Sequence, residues 1–235
     1  MNVNIIKSSS AGNCAVIDDT LIIDAGCNVT PVGKYVLLTH HHGDHTKHLD
    51  KVSGLPVYCT QATADNLSDK FPYVVFNIFT DTFSVGRYNV LAYPLVHDAP
   101  CVAFDIIDTD TDKRILWASD FSRIEHDSII VARFRNCNYD AIYIECNNTL
   151  NVSAFADIYF YDDKPPRDEF HRRRSFKNHC NADYLISLFK RAGYSGQNRC
   201  ATPVTLLHKS SYYYQHNVAR IAELTKICNV INPFY

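Results

Sequence analysis

Apolar positions along the first half of the chain come in short runs, separated by polar turns rather than spread at helical intervals. Runs of this length that are rich in β-branched and aromatic residues and bounded by Asp, Asn, Gly or Pro read as strands. Cys14–Ile17 and Leu21–Ile23 flank Asp-Asp-Thr and predict a hairpin. Tyr35–Thr39, Val57–Cys59, Val74–Phe79 and Asn89–Leu95 predict further strands. Cys101–Ile107 and Arg114–Ala118 flank Asp-Thr-Asp-Thr-Asp-Lys and predict a second hairpin. A helix is expected from Asp44 to Val52, stopped by Gly54, and another over Gln61–Asp69, capped by Thr60. In the second half, Ala141–Glu145 and Val204–Leu207 read as strands. Ala182–Arg191, ending at Gly193, and Val218–Ile227 read as helices.

Composition narrows the class. With 235 residues, 46% hydrophobic and 20% charged, the chain is an ordinary globular protein, and no repeat or Gly/Ser linker divides it, so a single domain over residues 1–235 is expected. A formal net charge of −2 gives no global field for nucleic acid, though a local patch remains compatible with such a substrate. The apolar runs fall well short of the ~20 residues a membrane span needs. The N-terminal MNVNIIKSSSAGNC lacks a basic start followed by an apolar core, so a cytoplasmic protein without membrane contact is expected. The nine cysteines are scattered, with no C-x-x-C pair. Cys14, Cys59, Cys146 and Cys228 sit in apolar context and read as small buried hydrophobes.

The chemistry concentrates in LLTHHHGDHTKHLD, where His40, His42, Asp44 and His45 form H-x-H-x-D-H behind a predicted strand. Alternate side chains of an extended backbone point the same way, so His40 and His42 reach one ion together. The Asp44–His45 pair then turns and reaches a second. Neutral imidazole and carboxylate suit a borderline divalent cation. Other strand-like runs also end in ionisable residues: LIID in Asp24, LAYPLVH in His97, AIYIE in Glu145 and VTLLH in His208, while Asp120 follows ILWAS. A lone histidine at a strand end more often completes an edge hydrogen bond than binds a metal. The recurrence argues for a site assembled from several strand ends.

Together these residues resemble the metallo-β-lactamase fold superfamily over nearly the whole chain. The resemblance implies an α/β fold, a four-layer αββα sandwich, with the site at one edge of two sheets. It also implies two divalent ions, Zn or alternatively Mn. His40, His42 and His97 would hold one, Asp44, His45 and His208 the other, and Asp120 would bridge them. Asp24 would orient a ligand or the attacking water. SSSAGNC, VHDAP, IECNN and KNHCNADYLISLF are similar to the phosphodiesterase branch, which includes bacterial exonuclease-like proteins, phage cyclic-nucleotide phosphodiesterases and, more distantly, ribonuclease Z. In that branch a strand-end Glu and a His opening a helix assist proton transfer, and Glu145 and His179 occupy those places. Asn178 stands where the branch often has glycine, Phe121 where it has a small residue, and the tail HKSSYY differs. Ribonuclease Z's Gly/Pro-rich arm is not evident.

The expected activity is hydrolysis of phosphodiester bonds in nucleic acid or nucleotides, cyclic nucleotides included. Asp44 would act at the metals, with His179 as general acid oriented by Glu145. The basic stretch KPPRDEFHRRRSFK, Lys164 to Lys177, interleaves Phe170 and Phe176 and suits phosphate attraction with base stacking, as does the SSYYY run from Ser210 to Tyr214. A solvated loop and a packing or subunit-contact stretch are the plainer readings of the two. A homodimer would let one subunit's loop cover its neighbour's site. The competing class is hydrolysis of carbon esters, thioesters or lactams on the same fold, which has no evident need for the Glu145–His179 pair. A non-catalytic relative would be expected to lose ligands. A flavin-partnered oxygen reductase would carry an appended flavodoxin-like domain.

Overall fold

The structure, a computed structural model, describes residues 1–136, 139–149, 177–210 and 218–232. Its strands form two sheets in a mixed α/β fold. Backbone contacts divide the chain into two compact units, Met1–Pro94 with Ala99–Trp117, and Leu95–Asp98 with Ala118–Tyr235.

The first unit holds a six-stranded sheet in chain order: β1 (Val3–Ser9), β2 (Gly12–Ile17), β3 (Leu21–Ile23), β4 (Tyr35–Leu37), β5 (Val57–Cys59) and β6 (Phe76–Ile78). β1, β2 and β3 pair antiparallel, and β3 to β6 pair parallel. The β2–β3 hairpin turns through Asp18 and Asp19, both at φ near +50° (50° and 49°), a conformation Asp tolerates better than most residues. β2 and β3 are buried along their whole length, and with Val36, Leu38 and Val57 they form the floor of the core. The expected Asp44–Val52 helix is instead two pieces, α1 (Gly43–Thr46) and a single 3-10 turn at Leu49–Val52. The break falls where the His48 N–H turns away to the Ala25 carbonyl at 3.0 Å. α2 (Gln61–Leu67) is capped as expected, Thr60 Oγ1 accepting from Thr63 N–H at 3.3 Å, and it ends two residues early.

The same unit contains an antiparallel ribbon of β7 (Thr82–Val85), β8 (Tyr88–Val96, whose last two residues belong to the second unit), β9 (Cys101–Asp108) and β10 (Arg114–Ala118, whose last residue belongs to the second unit). Asp105, 1% exposed, is held in this ribbon by a two-point contact from Arg114, Nε at 2.7 Å and Nη2 at 2.5 Å.

The second unit contains β11 (Arg123–Ile124), α3 (Asp127–Asn136), β12 (Ala141–Glu145), α4 (Ala182–Arg191), β13 (Cys200–Leu207), α5 (Val218–Ile227) and β14 (Cys228–Val230). β11 pairs with the Leu95–Val96 end of β8, and β12, β13 and β14 pair parallel. Asn181 caps α4, its side-chain oxygen accepting from Tyr184 N–H at 2.8 Å. Leu185, Leu188 and Phe189 of that helix are buried, and Phe189 stacks on Phe134 of α3 at 5.1 Å. The eight described cysteines are all buried free thiols, Cys14, Cys59, Cys146 and Cys228 among them. Burial pushes the Cys14 and Cys59 thiols up to about 12. No described helix is long and apolar enough to cross a membrane.

Candidate metal centre

In the first unit the chemistry is organised by one buried carboxylate. Asp24 follows β3 at φ +61°, which turns its side chain back against the segment after β4. It accepts the Thr39 N–H at 2.9 Å, the Thr39 hydroxyl at 3.0 and 3.1 Å, and His45 Nδ1 at 2.7 Å. Thr39 Oγ1 also lies 3.0 Å from His40 Nδ1. Since the hydroxyl proton goes to Asp24, the oxygen accepts from that nitrogen. Both rings therefore carry hydrogen on Nδ1 and a lone pair on Nε2. The His40 ring lies 4.6 Å from His42 and 4.2 Å from His45, centroid to centroid. Asp44 stands in α1 beside His45, with Asp44 Oδ2 3.7 Å from His45 Nε2.

The second unit brings together Asp120, Glu145, His179 and His208, whose ligand atoms all lie within 4.8 Å of one another. Asp120 and His208 each follow a strand with φ in the left-handed region, +58° and +49°. Glu145 ends β12, and its register partner on β13 is Leu207, so His208 emerges directly beside it. Glu145 Oε1 accepts from His179 Nδ1 at 2.6 Å and from His208 Nδ1 at 2.9 Å. Its Oε2 accepts the Phe121 and Cys180 N–H groups at 2.6 and 3.3 Å. Complete burial alone would raise this carboxyl, but the charge of His179 and the bonds from His179 and His208 hold it below its ordinary value. His97 donates from Nδ1 to the Asn178 carbonyl at 3.0 Å, and burial pushes its imidazole down against the pull of Asp120. Its Nε2 lies 3.1 Å from Asp98 Oδ1.

The beta-lactamase superfamily domain matches residues 28–149, more than half of the chain. The chain belongs to this superfamily, in its metallo-β-lactamase fold. Solved structures agree on the fold. The metallo-β-lactamase fold protein YhfI of Bacillus subtilis is 17% identical with a TM-score of 0.66, covering 99% of this chain and 97% of its own. A diphosphatase of the PhnP family is 12% identical, TM-score 0.64, covering 98% and 93%. The short form of human tRNase Z is 14% identical, TM-score 0.59, covering 90% and 93%. Zn-bound PqqB from Methylobacterium extorquens and an isothiocyanate hydrolase from Delia radicum gut bacteria match as well, at 14% and 10% identity. No curated protein matches the sequence.

The donor set fits the divalent ions of the metallo-β-lactamase fold. His40, His45, His97 and His208 each spend Nδ1 on an acceptor, which fixes the tautomer that metal binding by Nε2 requires. Two of the three departures from the family pattern are explained by which atoms are used. Asn178 contributes its backbone carbonyl and Phe121 its backbone N–H, so neither contact depends on the side chain. The fully buried Phe121 ring packs edge-on to Tyr184 at 6.3 Å. Asn13, Thr39, Asp98 and Asn147 also join these contacts, and none of them is among the site residues that the sequence predicts. Asn147 Nδ2 donates to the His208 carbonyl at 2.9 Å. Thr39 and Asp98 adjoin His40 and His97 in sequence, whereas Asn13 and Asn147 reach their partners only through tertiary folding. The basic segment from Lys164, save Lys177, and the SSYYY run after Ser210 lie outside the described residues.

Proposed function

We propose that the protein is a dinuclear metal-dependent phosphodiesterase acting on nucleic acid or nucleotides. The observation that carries the reading is the His179–Glu145 contact at 2.6 Å, with His208 sharing the same carboxylate oxygen. An ester or lactam with a good leaving group has little need of a separate proton donor, whereas an alkoxide leaving from phosphorus does. In this reading His40, His42 and His97 would hold one ion and Asp44, His45 and His208 the other, with Asp120 available to both. Zn suits the mixed His/Asp set, and Mn is the alternative. Bound there, the ions supply a hydroxide near neutral pH and neutralise charge on the phosphate.

The chain's own residues do the rest. Asp24 and Thr39 hold His40 and His45 in one tautomer. Glu145 stabilises the imidazolium of His179, whose Nε2–H passes to the leaving oxygen. The diphosphatase and tRNase Z neighbours act on phosphorus–oxygen bonds, which supports the substrate class. The test is a panel with Zn- or Mn-loaded protein: cyclic mononucleotides, cyclic oligonucleotides, single- and double-stranded DNA and RNA, and β-lactam and thioester controls. Asp44→Ala serves as the inactive reference. Metal-dependent cleavage of any phosphodiester supports the reading and divides nuclease from cyclic-nucleotide hydrolase. Turnover of the carbon esters alone would overturn it.

A further inference from the structure

The SSSAGNC stretch builds part of the first unit's cluster. β1 and β2 are joined by a two-residue turn, and Asn13 follows Gly12 at the start of β2, 4% exposed. Its side-chain amide is clamped by the backbone of Ser9. Oδ1 accepts the Ser9 N–H at 3.0 Å, and Nδ2 donates to the Ser9 carbonyl at 3.1 Å. This two-point contact decides which amide atom is nitrogen and aims its second N–H. That N–H lies 2.9 Å from His45 Nε2 and 3.3 Å from Asp44 Oδ2. Both are acceptors, because His45 Nδ1–H is committed to Asp24.

Two glycines allow the hairpin to come this close. A Cβ on Gly26 would sit 1.6 Å from the Asp44 carbonyl oxygen and 2.8 Å from Asn13 N. A Cβ on Gly12, which lies at φ +151°, would sit 2.5 Å from the Gly26 carbonyl oxygen. Gly26 N–H donates to the Asn13 carbonyl at 2.8 Å, and Ala25 N–H to the His45 carbonyl at 2.7 Å, so the hairpin and the α1 turn are locked through one strap.

We infer that Asn13 is a positioning residue for Asp44, presenting it to a divalent ion that His45 Nε2 also holds. The inference rests on reading those two residues as metal ligands. One N–H serves two acceptors, and a ligand bond at His45 Nε2 leaves Asp44 Oδ2 as its acceptor. Asp44 would then be held by that oxygen, leaving its other oxygen for the ion. Removing an outer partner of this kind costs about 10–100-fold in metal affinity.

The experiment compares wild type, Asn13→Ala and Asp44→Ala by calorimetric Zn titration and metal analysis, with nitrogen NMR of the His45 ring in the metal-free protein. Wild type is expected to take up two ions. Asn13→Ala should weaken one of them about 10–100-fold and leave the other unchanged, and its metal-free His45 Nε2 signal should move towards that of an unbonded imidazole nitrogen. If Asn13→Ala does not fold, Asn13→Ser is read the same way, since its hydroxyl is too short to reach Asp44. Two ions that Asp44→Ala weakens and Asn13→Ala binds at full affinity would overturn the role of Asn13 alone. A wild type that binds no ion would overturn the metal reading and this inference together.

Discussion

A carboxylate has acceptor capacity for about four N–H groups, and Glu145 has four around it: His179 Nδ1, His208 Nδ1 and the backbone amides of Phe121 and Cys180. One side chain therefore sets the orientation of the proposed general acid, of a proposed metal ligand, and of the backbone immediately after Asp120. This makes Glu145→Gln far from conservative. An amide turned either way points two N–H donors at groups that themselves donate. The variant is expected to lose about 3 kcal/mol or more in urea unfolding, as when one partner of a buried charged pair is removed. Turnover on an unactivated phosphodiester should fall about 100-fold. Unchanged unfolding with full turnover would show that the four bonds carry neither stability nor function. Arg114→Ala makes the matching case in the first unit, because it strands the buried Asp105 carboxylate. A loss of about 3–5 kcal/mol in the same measurement is expected, with no direct effect on the site residues.

At the scale of elements, α3 and α4 are joined by a two-point ion pair, Arg191 Nη1 and Nη2 to Asp127 at 2.9 and 2.6 Å. The Arg191 bonds hold the Asp127 carboxyl below its ordinary value. A carboxyl lowered in the folded state adds stability above its unfolded pKa of about 3.9, and that stability is lost as pH falls through the folded value. Both side chains are partly exposed, so the contribution is about 0.5 kcal/mol. Asp127→Asn should lower stability by about that much at pH 7 and match wild type once both carboxyl states are protonated. A difference independent of pH would assign the loss to packing. The ends of α4 were also legible in the sequence, as were β10, β12 and α5, because each is a long run with a cap, a glycine or a clear change of pattern at its ends. β7 and β14 were not. β7 has two of four residues exposed, β14 is three residues long, and both owe their existence to a partner strand. α3 begins without a side-chain signal that singles it out. The strand-end acids and histidines could be read from the sequence because hydrophobic runs stop at them. The left-handed backbone at Asp24, Asp120 and His208 could not, since it costs about 1 kcal/mol or more at each and is held there only by the surrounding contacts.

At the scale of the whole molecule, the family domain matches a stretch that includes residues of both units, and the seven proposed ligands are drawn from both. His40, His42, Asp44 and His45 belong to the first unit, and His97, Asp120 and His208 to the second. This division makes metal binding a test of how the ligands are used. An ion that binds only the folded protein stabilises it by about 2.7 kcal/mol when its free concentration is 100 times the dissociation constant. Each unit whose ligands hold an ion is stabilised against opening by about that amount. Saturating Zn should then slow hydrogen exchange in β2 and β3 of the first unit and in β12 and β13 of the second to a similar degree, and a chelator should reverse both together. Protection confined to one unit would mean that its ligands alone hold the metal. The dinuclear assignment would then have to be withdrawn in favour of a single site on that side.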